Sequence, residues 1–336
     1  MSGAPAPVIG RETFDELAER HRREIHVHCY RMLGSMQDAE DALQETLLKA
    51  WRGRLTFEGR ASFRTWLYRI ATNTCLRALE RASVQGRRLP TQAGPSVRFQ
   101  PLGDPDRVTP WLEPFPDPGL ADQHDPAPGP DARVETAEAV RLAFVAAIHE
   151  LPPRQRAILL LREVVGMSAV EAAACLDIST AAANSALQRA RMTVRRRFPS
   201  GAPDRPTQIG EAERAVLERY VRAWEACDID GLVALLSTDT VWSMPPWRQW
   251  YVGPAAIAEF VGWVWSRAKG RRERLVPTSA NGSPAFGYYR LAPTSPSGIG
   301  LRSRSSMSMP TESPRSRTSS MVDCSRHSAC PLRHRK

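Results

Sequence analysis

The chain has 336 residues and a formal net charge of +10, long enough for two or three domains with cores of their own. The charge is uneven: residues 291–336 hold seven Arg and one Lys against Glu312 and Asp323, supplying +6 and leaving +4 for the rest, so the basic total does not by itself argue for nucleic acid. Six scattered cysteines with no Cys-x-x-Cys pair point to reduced thiols rather than a disulfide framework. No apolar run approaches the roughly 20 residues of a membrane span, and no signal-peptide pattern opens the sequence; a cytoplasmic chain without a membrane partner is expected.

Residues 11–82 are helix-forming. The first helix is predicted over 13–32 and contains His26-x-His28-Cys29, a cluster that raises the question of a metal. On a helix of ~3.6 residues per turn the two histidines lie about 200° apart and face away from each other. With no second ligand pair at zinc spacing, no metal and no cofactor is expected, and Cys29 packing beside Tyr30 and Leu33 is the simpler reading.

Gly34 ends that helix, and Ser35 with Asp38 resembles a capping box opening a second one. There Ala39, Leu43, Thr46, Leu47, Ala50 and Trp51 form an apolar stripe at helical spacing. The opposite face carries Gln37, Asp38, Asp41, Gln44, Glu45 and Leu48. A solvated acidic face is the ordinary explanation; Leu48 within it suggests a partner, and a basic one by charge. The next stretch interleaves Arg60, Arg64, Arg69, Arg77, Arg81, Arg87 and Arg88 with Phe57, Phe63, Trp66 and Tyr68. Arginine holds phosphate and aromatic rings stack on unpaired bases, so the mixture fits melting DNA as well as it fits an ordinary helix core.

Residues 84–130 are rich in Pro, Gly and Asp and read as an extended linker. From 151 the pattern sharpens: Pro152 and Pro153 open a helix, Ser168 with Glu171 caps a short second one, "LDIS" turns, and Ser179 caps a third, the spacing of a helix-turn-helix. In the third helix Ala183, Leu187, Ala190 and Val194 face inward, turning Asn184, Ser185, Gln188, Arg189, Met192 and Arg195 outward. Asn and Gln read adenine edges and Arg reads guanine, whereas Arg191, Arg196 and Arg197 suit phosphate. A helical hairpin that binds another protein is the alternative.

The segments "CYRMLGSMQDAEDALQETLLKAW", "SFRTWLYRIATNTCLRAL" and "LPPRQRAILLLREVVGMSAVEAAACLDISTAAANSALQRAR" resemble regions 2 and 4 of extracytoplasmic-function sigma factors of bacterial RNA polymerase, in the right order over about 11–198. "WLEPFPD" at 111–117 and the stretch after Glu218 resemble the subgroup with a fused SnoaL-like domain. The resemblance implies a mainly α protein: region 2 at 11–83, a Pro/Asp-rich linker at 84–132, region 4 at 133–199, and an α+β SnoaL-like cone at 208–290 that looks incomplete. It implies an alternative sigma factor, not an enzyme, whose partners are core RNA polymerase, through the clamp helices of its largest subunit and the flap, and double-stranded and melted promoter DNA.

Position by position, the resemblance implies core binding through Asp38, Asp41, Gln44, Glu45 and Leu48. It implies minus-ten capture and melting through Phe57, Arg60, Ser62, Arg64, Trp66, Tyr68, Arg69 and Asn73, and minus-thirty-five binding through Asn184, Ser185, Gln188, Arg189, Arg191, Arg195, Arg196 and Arg197. The linker, with Asp104, Asp106, Asp117, Asp122 and Asp125, resembles the segment that threads the polymerase cleft, where acid mimics RNA phosphate; a plain solvated tether is its alternative. A stand-alone helix-turn-helix regulator and a SnoaL-type cyclase or isomerase are the competing functions. Asp228, Asp230 and Asp239 sit beside element ends, where capping explains them without catalysis.

In the C-terminal part, Val216, Leu217, Tyr220, Val221 and Trp224 form a helix stripe, "TVWSM" and "AFGYY" read as strands, and Pro254 starts a helix. Residues 291–336 contain twelve Ser, seven Arg, five Pro and no aromatic residue. They are expected to be a disordered tail, genuine or the product of a reading-frame slip. Missing later strands would leave Val241, Trp242, Phe286 and Tyr288 on an uncovered apolar face.

Overall fold

The computed structural model describes residues 10–59, 61–83, 86–117, 142–197, 210–268, 272–291, 301–308 and 319–322. They divide into two compact units. Residues up to Arg88, Pro110–Phe115 and the helices before Ala202 form the first; Leu89–Thr109, residues 116–117 and the part after Pro203 form the second.

The first unit begins with three packed helices, α1 (Arg11–Leu33), α2 (Met36–Gly53) and α3 (Phe63–Ala82). The α1–α2 turn forms because Gly34 takes φ +69° and returns its N–H to the Tyr30 carbonyl at 2.6 Å, after which the Ser35 hydroxyl caps Asp38. Ile25, Cys29, Tyr30, Met32, Leu43, Leu67, Ala71 and Cys75 are fully enclosed between the three helices. The remaining helices are α4 (Leu142–Ile148), α5 (Pro153–Leu159, extended by a π turn over Leu160–Val164), α6 (Ala169–Leu176) and α7 (Thr180–Arg197). The expected caps are present: Ser168 and Glu171 bond reciprocally to each other's backbone N–H, and the Ser179 hydroxyl accepts from Ala182 N.

In the second unit, α8 (Glu211–Glu225), α9 (Ile229–Val233) and α10 (Gly253–Arg267) accompany strands β1 (Val241–Ser243), β2 (Trp250–Val252), β3 (Arg272–Ala280), β4 (Ser283–Leu291), β5 (Leu301–Ser308) and β6 (Ser319–Val322). The sheet order is β2-β1-β6-β5-β4-β3, antiparallel throughout except for β1 with β6. Two expectations are corrected. Strands β5 and β6 fall inside the stretch read as tail, and β5 runs along β4 from Leu301 opposite Leu291 to Ser308 opposite Ala285. A ladder is made by backbone N–H and C=O groups, so a Ser- and Arg-rich segment enters it without an apolar rhythm. Second, Val241, Trp242, Phe286 and Tyr288 are all buried: Tyr220 stacks on Phe286 and Trp224 on Trp242, so α8 closes the face. The other residues of 291–336 lie outside the described ones.

The linker is built into the units wherever it is described. Trp111, Leu112 and Phe115 are buried in the first unit, where Tyr30 donates its hydroxyl to the Glu113 carbonyl at 2.7 Å and the Glu113 carboxylate accepts from Met36 N at 2.9 Å. Val97, Phe99 and Leu102 pack on the core of the second unit. There Trp250 Nε1 donates to Gly94 O at 2.9 Å, Trp247 Nε1 to Gly103 O at 2.8 Å, and Arg248 pairs with Asp106. Asp117 accepts from Gly282 N at 2.9 Å, whereas Asp122 and Asp125 fall outside the described residues. Apolar side chains at 97, 99, 102, 111, 112 and 115 separate this segment from a solvated tether.

Candidate polymerase and promoter interface

On α2 the stripe and its opposite face are separated much as the periodicity predicts. Ala39, Leu43, Thr46 and Ala50 are buried, Asp41 and Gln44 are exposed, and Leu48 is 57% exposed. The carboxylates are not equivalent. Asp38 is tied to the Arg87 guanidinium, and Glu45 is held by Lys49 at 2.7 Å and Arg81 at 3.6 Å. The hydrogen bond from Lys49, aided by both cations, keeps the Glu45 carboxyl below its usual range. Asp41 has no ion-pair partner among the described residues. One turn further along α2 lies an apolar groove of about 390 Å³ walled by Phe14, Leu47, Leu48 and Trp51 and edged by Asp15, Arg22 and Gln44. The α1 side of this groove escaped the sequence reading, although Phe14 precedes Ala18 at helical spacing.

Before α3, the Phe57 ring lies tilted at 5.0 Å from Trp66 and meets Phe63 edge to face at 6.2 Å, and Gly59 takes φ +68°. The exposed Ser62 caps α3 through Thr65 N, and Arg69 is exposed; Arg60 lies outside the described residues. Arg64 bonds Glu24 at 2.8 Å and lies 5.0 Å over the Tyr68 ring. Tyr68 is a correction: it is only 3% exposed, donates to Glu24 at 3.1 Å, and meets His28 edge to face at 5.0 Å. Its spacing to Thr72, Cys75 and Leu79 is that of a core row, the signal that would have placed it. His28 itself is enclosed, bonded to Thr72 at 2.9 Å, and burial lowers its pKa to about 3. His26 instead approaches Glu40 at 3.5 Å and the edge of Phe115, so the two histidines point to different neighbours.

In α7, Ala183, Leu187 and Ala190 are buried, and Asn184, Ser185, Gln188, Arg189, Arg191, Arg195 and Arg196 are exposed on one basic surface. Arg191 is partly engaged by Glu163 at 2.5 Å. Arg197 belongs to the helix, and its side chain is not described. An exposed basic helix after a tight turn, an aromatic and arginine-rich α3, and a half-apolar, half-acidic face on α2 are the surface chemistry of the DNA-binding class of protein.

Comparison with known proteins gives the particular family. Sigma-70 region 2 matches residues 17–84, Sigma-70 region 4 matches 141–194, and a SnoaL-like domain matches 217–311, past the boundary at 290 that the sequence suggested. ECF RNA polymerase sigma factor SigG of Mycobacterium tuberculosis is 44% identical over 299 residues, spanning 84% of this chain and 77% of SigG. SigM of the same species is 33% identical over 186 residues, 55% of this chain and 77% of SigM. The crystal structure of Mycobacterium tuberculosis SigJ superposes with a TM-score of 0.55 at 22% identity, covering 92% of this chain and 95% of SigJ, which shows a common fold. The chain belongs to the extracytoplasmic-function sigma factors of RNA polymerase, with a SnoaL-like domain fused after region 4. It is a transcription-initiation factor of mainly helical fold. Among the described residues, no helix is long and apolar enough to cross a membrane.

Proposed function

We propose that the chain docks on the clamp helices of the polymerase's largest subunit through the groove beside Leu48, with Gln44 at its polar rim and the exposed Asp41 one helical turn before it on α2. Burying Leu48 and the rings of Phe14 and Trp51 supplies affinity, and Asp41, which has no ion-pair partner among the described residues, complements a basic partner. Asp38 and Glu45 contribute through their existing pairs and set the shape of the face. Phe57, Ser62, Arg64, Trp66, Arg69 and Asn73 engage the melted minus-ten strand, with Tyr68 positioning Arg64 from below. Asn184, Ser185, Gln188 and Arg189 read the minus-thirty-five element, while Arg191, Arg195, Arg196 and Arg197 hold phosphate, and region 4 rests on the polymerase flap.

The observation that carries this reading is the surface of α7: Ala183, Leu187 and Ala190 are buried, while Asn184, Ser185, Gln188, Arg189, Arg191, Arg195 and Arg196 are exposed, polar and never acidic. The SnoaL-like domain acts as a regulatory module rather than an enzyme. Asp228 caps α9 by accepting from Gly231 N at 2.9 Å, and Asp239 pairs with Ser237 at 2.6 Å, so these acids serve local structure. Pull-down with core polymerase followed by run-off transcription tests the proposal: the chain is expected to co-purify with core and confer promoter-dependent transcripts, and Leu48→Asp to abolish both.

A further inference from the structure

Three polar side chains, His21, Glu24 and His28, recur along one face of α1, and Arg64, Tyr68 and Thr72 recur along one face of α3. Steps of three and four residues keep each set in a single row on its helix. The two rows meet as a ladder. His21 Nδ1 pairs with Glu24 Oε1, while Glu24 Oε2 accepts from Arg64 Nε at 2.9 Å, from Arg64 Nη2 at 2.8 Å and from the Tyr68 hydroxyl at 3.1 Å. One turn deeper, His28 Nε2 bonds the Thr72 hydroxyl at 2.9 Å and its ring meets Tyr68 edge to face. Burial, then the Glu24 carboxylate, pushes the Tyr68 hydroxyl above its ordinary range, so it stays protonated and donating.

Apolar side chains fill the rest of the interior between these helices, Ile25, Cys29, Leu67, Ala71 and Cys75 among them. Apolar neighbours are interchangeable, so such a seam alone leaves the rotation of one helix on the other loosely set. A row of donors, each with its own acceptor, sets it closely, because a small turn of α3 would leave desolvated polar groups unpaired. The consequence falls on Arg64. The Nε–Nη2 edge of its guanidinium is held by one carboxylate oxygen, and its Cζ lies 5.0 Å over the centre of the Tyr68 ring. Nη1 is the corner that Glu24 does not use, and it reaches an acceptor outside the three-helix core, the Val165 carbonyl at 3.3 Å. A long, flexible side chain held on two sides loses less freedom when it meets a ligand than one swinging in solvent.

We infer that Glu24 is a positioning residue for promoter opening: from α1, its carboxylate aims the Arg64 guanidinium so that the Nη1 corner meets the melted minus-ten strand. The inference rests on the proposed contact of Arg64 with that strand. Glu24 acts through Arg64 and does not touch DNA, which its own charge would repel. Binding of duplex promoter and opening of it therefore respond differently to its loss. Without Glu24 the guanidinium keeps its charge and pairs with whichever phosphate it finds, but it loses its aim at the separated strand.

The test uses holoenzyme assembled from the full chain and core polymerase on a promoter that the native chain transcribes. Closed-complex affinity is read by filter binding in the cold, and the opening rate by permanganate reactivity of unpaired thymines. Glu24→Ala is expected to slow opening by about tenfold, the factor for one misplaced charge-assisted contact, with closed-complex affinity unchanged or tighter. Glu24→Gln keeps an oxygen for Arg64 and Tyr68 and should recover most of that rate. In an Arg64→Ala background, which itself opens slowly, Glu24→Ala should add no further loss. Native opening by Glu24→Ala, a further loss in the Arg64→Ala background, or parallel falls in core binding and closed-complex affinity would each overturn the inference, the last two by showing that Glu24 serves helix packing alone. Native opening by Arg64→Ala would instead fault the minus-ten contact itself, and the role of Glu24 with it. The Glu24 side chain is 30% exposed, so its truncation is expected to leave the fold intact. Should Glu24→Ala fail to fold, Glu24→Asp, which draws the carboxylate back by one methylene and keeps its charge, decides by the same measurements: slower opening that disappears as a separate effect in the Arg64→Ala background supports the inference, and native opening overturns it.

Discussion

Acid should loosen the three-helix core of region 2 through His28. Its ring is fully enclosed, and burial, followed by the Arg31 and Arg64 cations, lowers its pKa from the ordinary 6.5 to about 3. The unfolded chain takes up this proton below about 6.5 and the folded chain refuses it until about 3, so the unfolded state binds more protons across that window. Stability is therefore complete above the window and falls as pH drops through it. At about 1.36 kcal/mol per unit, the span of ~3.5 units sets a ceiling of ~5 kcal/mol, and pH 5, ~1.5 units into the window, costs ~2 kcal/mol. Amide exchange of α1 and α3, corrected for the intrinsic pH dependence, should then show openings at pH 5 favoured by roughly thirtyfold over pH 7.5. His28→Gln keeps a donor for the Thr72 hydroxyl and removes the titration, so its protection should change far less between the two pH values. Equal losses in both proteins would refute the assignment of acid sensitivity to His28.

Asp41→Lys should weaken core binding in a pull-down without changing the thermal midpoint, while Glu45→Lys should lower both, because it also breaks the contacts to Lys49 and Arg81. Arg189→Ala should cost about 1 to 3 kcal/mol at one minus-thirty-five position, whereas Arg195→Ala should weaken binding evenly and flatten its salt dependence; a promoter panel separates the two. Truncation after Leu291 removes β5 from the edge of β4 and should produce aggregation visible by light scattering; a monodisperse truncated chain would show that the β4 edge tolerates exposure. Arg248→Ala removes the partner of Asp106 and one donor to Thr109 and should raise protease sensitivity around 103–109, read by mass spectrometry of early fragments.

What the sequence revealed were the features written in neighbouring residues. Ser35, Ser168 with Glu171, and Ser179 announce the helices that start at the next residue, and each serine hydroxyl accepts the backbone N–H three residues on. The inward and outward faces of α2 and α7 follow from spacing alone. What escaped depends on partners far along the chain. Arg156 reads as one more surface arginine until Met32, 124 residues away, supplies a carbonyl for it, and Trp247 and Trp250 show no sign of the linker carbonyls they hold. Tyr68 shares aromatic and arginine neighbours with the exposed face, while its spacing to Thr72, Cys75 and Leu79 belongs to the core. The strands after 300 were missed because backbone pairing leaves no trace in a polar sequence.

The most direct test of the account is reconstitution of this chain with core RNA polymerase on promoter templates, with transcripts read at single-nucleotide resolution. Defined start sites that appear only with the chain, shift in preference with Arg189→Ala and vanish with Leu48→Asp are predicted. A chain that binds the same DNA without core polymerase and leaves transcription by core unchanged would contradict it.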